Sequence, residues 1–343
     1  MSFHNENSRL NTEAGYTIGI FNYPGAQAAT VYGLQDLFNT AARLQPEYSD
    51  HQDKTADQNH TDAPLPDTPQ IRVMVFDEID DGLTFSAIIL PSSLQPLPSP
   101  DTQTRIYAWL RHQHQQGTLL CSVCAGAFWL AEAGLLNNRA ATTHWALADK
   151  FRARFSAVQL DADKILIDDG DIITAGGIMA WTDLGLRLVS RFLGPSLMLH
   201  LARYFLVDPG GREQRFYSLF SPSLKHGDSA VLKVQHWLQA HYHEAVTVSQ
   251  MAQQAHSGER TFLRRFKQAT GLTPKEYLQH LRIARAREYL EQSNNSIDEI
   301  AWKTGYKDSS AFRRVFQKIM GLTASEYRQR FNTGQNLTHS VSD

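Results

Sequence analysis

Residues 118–136, TLLCSVCAGAFWLAEAGLL, set Cys124 where an apolar run gives way to helical spacing. A thiol at a tight strand-to-helix turn lies at the positive end of the helix dipole, which favours the thiolate and hence nucleophilic chemistry. Ala125 and Gly126 are small enough for such a turn, and His144, twenty residues on in ATTHW, is the candidate base. Gly176 and Gly177, in ITAGGIMAW, let backbone approach closely, and Trp145 and Trp181 are candidates to line the same place. The set Cys124, Ala125, His144, Trp145, Gly176 and Gly177 fits a second role equally, the wall of a small-molecule pocket, and a third, plain packing. Cys121 and Cys124 make no redox pair on this reading. Three residues of extended strand separate their Cα atoms by about 10 Å, beyond the roughly 7 Å that a disulfide tolerates.

A different chemistry lies near the other end of the chain. Residues 229–331 hold 16 Lys and Arg against 9 Asp and Glu, a net charge of +7, while the remainder carries −9. A basic module of this kind suits a polyanion. TVSQMAQQAHSGERTFLRRFKQATGLTPKEYL (247–278) and SIDEIAWKTGYKDSSAFRRVFQKIMGLTASEYR (296–328) repeat one another. Each opens on a capping box, Thr247 with Gln250 and Ser296 with Glu299. Each continues as a short helix, a turn and a second helix, then Gly-Leu-Thr and Glu-Tyr. A helix-turn-helix lays its second helix in the DNA major groove. On the first such helix Glu259, Arg260, Leu263 and Arg264 fall on the outer face, and on the second Ser309, Ser310, Arg313 and Arg314. The arginines can pair with guanine or clamp phosphate. Phe262, Phe266, Phe312 and Phe316 fall inward.

These groups need elements to hold them. YTIGIF (16–21), IRVMVF (71–76), SAIIL (86–90) and TLLCSV (118–123) are continuous apolar runs, the mark of strands covered on both faces. KILIDDGDIITAGG (164–177) predicts two strands about Asp168-Asp169-Gly170, and helices follow over 179–193 and 195–207. The pattern is an α/β sandwich with a largely parallel sheet. Residues 46–69 lack periodicity and predict a surface loop, whose His and Asp match no metal-ligand spacing. Residues 208–228 predict a linker between an N-terminal domain (15–207) and a C-terminal one (229–331), in which 273–293 form one long helix. At 343 residues two domains are expected. No apolar stretch is long enough to span a membrane, the polar start has no signal-peptide character, and two cysteines suit a reducing cytoplasm.

The paired helix-turn-helix units resemble the AraC/XylS family of transcriptional regulators over about 230–330. IAWKTGYKDSSAFRRVFQKIMGLTASEYR follows the family pattern closely; the first unit departs at Gly258, where a serine-like cap is usual. VCAGAFWLAEAGLL…ATTHW and ITAGGIMAWTDLGLRLV resemble the class I glutamine amidotransferase-like, PfpI-like domain of one AraC-type branch, over about 15–205. That resemblance implies a flavodoxin-like sheet and an N-terminal ligand sensor. Two departures speak against catalysis. NYPGAQAAT offers Gln27 where enzymatic relatives carry a carboxylate after the first strand, and Ala125 stands where protease-type relatives carry histidine. The expectation is a cytoplasmic activator with no catalytic residue, cofactor or metal. Its implied partners are double-stranded operator DNA, RNA polymerase, a small effector of amino-acid or betaine type and a second copy of the chain. The alternatives are a cysteine-dependent amidase or deglycase-like hydrolase carrying a DNA-binding module, and a redox sensor built on Cys124.

Overall fold

The computed structural model describes residues 15–53, 69–95, 103–210, 213–218, 220, 222, 224 and 226–332, with side chains of the first helix described to Gln45. It divides into two compact units that meet in the chain between Gln214 and Arg215.

The N-terminal unit runs β1 (Gly15–Phe21), α1 (Ala28–Asp53), β2 (Gln70–Phe76), β3 (Ala87–Leu90), α2 (Thr104–Gln115), β4 (Leu119–Val123), α3 (Ala127–Glu132), β5 (Ala140–Ala141), α4 (Ala148–Arg154), β6 (Gln159–Leu160), β7 (Leu166–Asp168), β8 (Ile172–Ala175), α5 (Trp181–Leu193) and α6 (Pro195–Tyr204). The main sheet has the order β2-β1-β3-β4-β8-β7, parallel except for β7 against β8. The antiparallel β7–β8 pair turns at 169–171, where the sequence predicts it.

Strand pleating explains the unbroken apolar runs. Ala87, Ile89, Leu119, Cys121 and Val123 face α1, α5 and α6 in one core, with Val31, Leu34, Phe38, Leu184 and Leu188. Ile88, Leu90 and Leu120 face α2 and α3 in another, with Leu110, Phe128 and Trp129. Both faces are covered, so the strands read as nearly unbroken apolar runs, with Ser122 and Thr174 as buried polar exceptions.

Two expectations need correction. Helix α1 continues through Pro46 to Asp53, so the first part of the 46–69 stretch is helical, while 54–68 lie outside the described residues. Proline removes one intrahelical hydrogen bond, and the buried Leu37, Phe38, Ala41 and Leu44 just before it anchor the helix regardless. The stretch 208–228 is also no free linker. Glu213 bridges to Lys164 and Gln214 is 2% exposed within the N-terminal unit, whereas Phe216 is buried and Phe220 packs against Tyr277 within the C-terminal unit.

The C-terminal unit is helical: α7 (Ser229–His241), α8 (Val248–Gln254), α9 (Glu259–Thr270), α10 (Pro274–Gln292), α11 (Ile297–Lys303), α12 (Ser309–Met320) and α13 (Ala324–Phe331). The repeat is physical. Both predicted capping boxes form, and Thr273 with Glu276 and Thr323 with Glu326 add two more. Gly271 and Gly321 end the second helix of each half in the left-handed conformation, φ 76° and 75°, which favours glycine. Tyr277 sets its ring edge-on to Phe266 at 5.3 Å, and Tyr327 edge-on to Phe316 at 5.7 Å. The recurring Gly-Leu-Thr and Glu-Tyr are thus a helix stop, a helix start and a core anchor. Helix α10 serves both halves: Tyr277, Leu278 and Leu281 enter one core, and Ile283, Ala286 and Leu290 the other.

Candidate nucleic-acid interface and effector site

The second helix of each helical pair, α9 and α12, buries its phenylalanines and turns its arginines out. Phe262, Phe266, Phe312 and Phe316 are buried, while Glu259, Arg260, Arg264, Ser310, Arg313 and Arg314 are exposed and Leu263 is 39% exposed. Ser309 differs from expectation. It is half-buried in the first turn of α12 because Asp308, the N-cap, draws that turn in by accepting from the Ser310 and Ala311 amides at 2.9 and 3.1 Å. Those amides hold the Asp308 carboxyl below its usual range. Gly258 caps α9 with no side-chain acceptor.

Two neighbouring cations are separated by their partners. Arg265, next to Arg264, forks onto Asp228 at 2.8 and 2.7 Å, and that guanidinium lowers the Asp228 pKa. Asp228 also caps α7 through the Val231 amide, so Arg265 clamps α9 to α7. Arg313 bonds Asp298 on α11 at 2.9 Å, an exposed pair of little stabilising value. Lys267 and Lys307 add exposed charge that sequence reasoning passed over, and the helical period alone would have found Lys267. Among the described residues no His, Cys, Asp and Glu cluster fits a metal ion.

In the N-terminal unit the chain leaves β1, β3 and β4 at the sheet's carboxyl edge, where strand order reverses about β1. Open α/β sheets bind their ligands in such a crevice. Tyr23, Ser92 and Cys124 lie just past these strands. The Tyr23 hydroxyl donates to the Pro91 carbonyl at 2.7 Å, and the Gln27 amide N–H donates to the Ser92 carbonyl at 2.8 Å. Cys124 is the predicted elbow: its φ is 55°, a conformation rare for a residue with a side chain, and it opens a one-turn 3₁₀ segment into α3. A Cβ on Gly126 would overlap the Leu90 carbonyl oxygen, so only glycine lets the elbow pack there.

The surroundings of Cys124 favour the thiol over the thiolate that such a turn could support. Cys124 is 3% exposed, and burial pushes its thiol up to about 11 against a hydrogen bond from the Ala125 amide. Buried Ala125 therefore supplies a backbone donor where protease-type relatives carry a histidine. Gln27 brings no charge; its side-chain oxygen accepts from the hydroxyls of Thr30, at 2.7 Å, and of Ser92. His144 uses Nδ1 to accept from the Ala146 amide at 3.1 Å, capping the turn that follows, and burial lowers its pKa.

The predicted pocket residues do share a neighbourhood. The Thr143 hydroxyl donates to the Cys124 carbonyl at 2.8 Å. Half-buried Trp145 lies beside His144, ring centroids 5.4 Å apart. The Trp145 backbone N–H donates to Gln214 Oε1 at 3.1 Å, and Gln214 Nε2 donates to the Thr143 carbonyl at 2.9 Å. Gly176 makes room: a Cβ there would overlap Gln214 Nε2. Gly177 sits beside Ile165 and Ala180. Gln214 is the buried residue beside these candidates that sequence reasoning missed, and no local signal marks it.

Comparison with known proteins agrees with both units. A helix-turn-helix domain model matches residues 251–330, and the DJ-1/PfpI family model matches residues 65–191. The HTH-type transcriptional regulator ArgR of Pseudomonas aeruginosa is 30% identical over 231 residues, covering 66% of this chain and 68% of the relative. CdhR, an HTH-type transcriptional regulator of the same organism, is 27% identical over 222 residues, covering 64% of this chain and 66%, just under two thirds, of the relative. The crystal structure of an AraC family transcriptional regulator from Pseudomonas putida is similar over 55% of this chain and 99% of that one, at 15% identity and a TM-score of 0.42.

Proposed function

The chain belongs to the AraC-type helix-turn-helix transcriptional regulators that carry a DJ-1/PfpI domain, and from that premise we propose that its N-terminal unit binds a small effector at the Cys124 elbow without transforming it. Its helix-turn-helix unit is a DNA-binding module. In this reading the module engages double-stranded operator DNA through Arg260, Leu263 and Arg264 on α9 and Ser309, Ser310, Arg313 and Arg314 on α12. The regulator works in the cytoplasm as a homodimer and activates transcription together with RNA polymerase. Its effector is a small nitrogenous metabolite of amino-acid or betaine type.

The observation that carries the non-catalytic part is the elbow itself. Its strained turn would suit a nucleophile, but the thiol lies near pKa 11 and Gln27 brings no carboxylate. A ligand can shift the regulator only through its differential affinity for the DNA-competent state. The test is to select duplexes from a random pool with the full chain, then titrate amino acids and betaines against the selected operator. Sequence preference together with an effector-dependent shift supports the reading. Equal affinity for selected and random duplexes at one fixed salt concentration would refute operator recognition, and steady turnover of amides lost in Cys124→Ala would refute a sensor without catalysis.

A further inference from the structure

The two helix pairs of the C-terminal unit face one another across a cleft of about 390 Å³, lined by none of the residues assigned to the operator. Its floor is α10, with Leu278 and Arg282. One wall is the entry to α8, with Val246, Val248 and Met251, and the other is the turn between α11 and α12, residues 305–307. That turn comes close because residue 305 is glycine. Its φ is 85°, and a Cβ there would lie 2.8 Å from the His243 carbonyl oxygen and 2.9 Å from Arg282 Nη2. The cleft is therefore a built feature of the way the second pair seats on the first, with an apolar lining.

Its charge is one-sided. Lys275, Arg282 and Lys307 line it, and among the described residues no carboxylate does. The acids beside the two lysines in the chain are engaged at helix caps. Glu276 accepts from the Thr273 N–H and hydroxyl at 2.9 and 2.7 Å, and Asp308 accepts from the Ser310 and Ala311 amides. Neither lysine has an ion-pair partner among the described residues. Arg282 donates from Nε to the Tyr242 carbonyl and from Nη2 to the Glu244 carbonyl, each at 2.7 Å. Those carbonyls fix the guanidinium without cancelling its charge, and burial lowers its pKa, which an anion nearby would oppose.

We propose that this cleft binds a small organic anion with an apolar body, the anionic group toward Lys275, Arg282 and Lys307 and the body against Val246, Met251 and Leu278. The site lies within the DNA-binding unit and is independent of the reading of the Cys124 elbow. Size follows from the volume: at the roughly 30 Å³ share of a water molecule, the cleft takes on the order of 13 of them, the bulk of a two-ring aromatic carboxylate. A bound anion touches both helix pairs and the helix between them, and so bears on the spacing at which α9 and α12 meet DNA.

The test is equilibrium dialysis of 2-naphthoate against the full chain. Kd should be about 1 mM or tighter, the ordinary ligand efficiency for a molecule of that size. The neutral isostere 2-naphthamide should bind about fivefold weaker or worse, since hydrogen bonds to charged groups are the stronger ones. Lys275→Gln together with Lys307→Gln should weaken naphthoate about fivefold and leave naphthamide unchanged. Both lysines are exposed, so the melting temperature should hold. Gln279→Trp, at a half-buried position on the α10 floor, should fill the cleft and abolish binding of both probes. Absence of saturation at about fivefold the expected Kd, naphthamide binding as tightly as naphthoate, or naphthoate binding untouched by these variants overturns the proposal. If naphthoate does not bind and the double variant lowers the salt slope on random duplex by about two, one per phosphate, the lysines hold the DNA backbone instead.

Discussion

Alkylation of Cys124 tests the elbow quantitatively. With a thiol pKa of about 11, the thiolate fraction at pH 7 is about 1 in 10,000. Bringing the thiol to half-ionisation at pH 7 would take stabilisation of about 5 kcal/mol, four units at 1.36 kcal/mol each. The one backbone donor, at Ala125, already acts within that value, so the whole of this stabilisation would have to come from elsewhere. The balance favours the neutral thiol. In a Cys121→Ala background, which leaves Cys124 as the only cysteine, the iodoacetamide labelling rate of the native chain should climb about tenfold per pH unit from 7 to 10 without a plateau. The sign for stability follows. Because the folded pKa lies above the unperturbed 9.0, the contribution is complete below pH 9 and is lost as pH rises from 9 towards 11. A labelling profile that levels off below pH 8 would show a stabilised thiolate and overturn the argument against catalysis.

Other outcomes follow from the same geometry. Arg260→Ala should cost about 1–3 kcal/mol on a selected operator and relax preference at one base pair, measured by competition at fixed salt. Lys318→Ala, near the far end of α12, should weaken selected and random duplexes alike and lower the salt slope by about one; equal losses on both duplexes for Arg260→Ala and Arg264→Ala would remove base reading from α9. A fragment 215–332 should melt above a fragment 229–331, since the shorter one lacks the Asp228 cap, its fork to Arg265 and the Phe220 ring on Tyr277. A deficit of about 2 kcal/mol from the cap and the charged pair corresponds to roughly 8–16 °C in a domain of this size. Gly126→Ala should fail to give a folded N-terminal unit by circular dichroism, because backbone at Leu90 and Pro91 cannot yield. Gly258→Ser should raise the melting temperature slightly, the gain of a cap over glycine being a few tenths of a kcal/mol.

Periodicity made much of the fold legible. Apolar runs without polar alternation meant a sheet covered on both faces, and the two core clusters divide along the pleat as that requires. Two capping boxes were read because both partners lie within four residues, and both form; the same local pattern at Thr273 and Thr323 went unread. The 46–69 stretch was misread at its start because proline and polar residues predict a break, while the buried turn before it carries α1 on to Asp53. Local pattern describes what a segment prefers in isolation; packing against the rest of the unit decided otherwise here.

The site divides along the same line. Cys124 and Gly126 were legible as a tight turn because a strand-to-helix junction has a local signature, and their positions follow from the chain on either side. Whether Cys124 would hold a thiolate was not legible, because a thiol's pKa depends on what surrounds it in space, and here burial outweighs the single amide that helps. Arg264 and Arg265 are chemically identical in the sequence, yet Asp228, 37 residues away, claims one and leaves the other exposed. Gln214 lies 71 residues from Thr143 and 50 from Lys164, in a stretch whose glycines and mixed polarity spell linker. A polar residue in such a stretch is ordinarily solvated. Only the missing Cβ of Gly176, seen from the other side of the contact, says that a side chain must arrive there. The two glycines noted in the sequence for close approach were the visible half of that contact, and the identity of what approaches became legible only when the chain was folded.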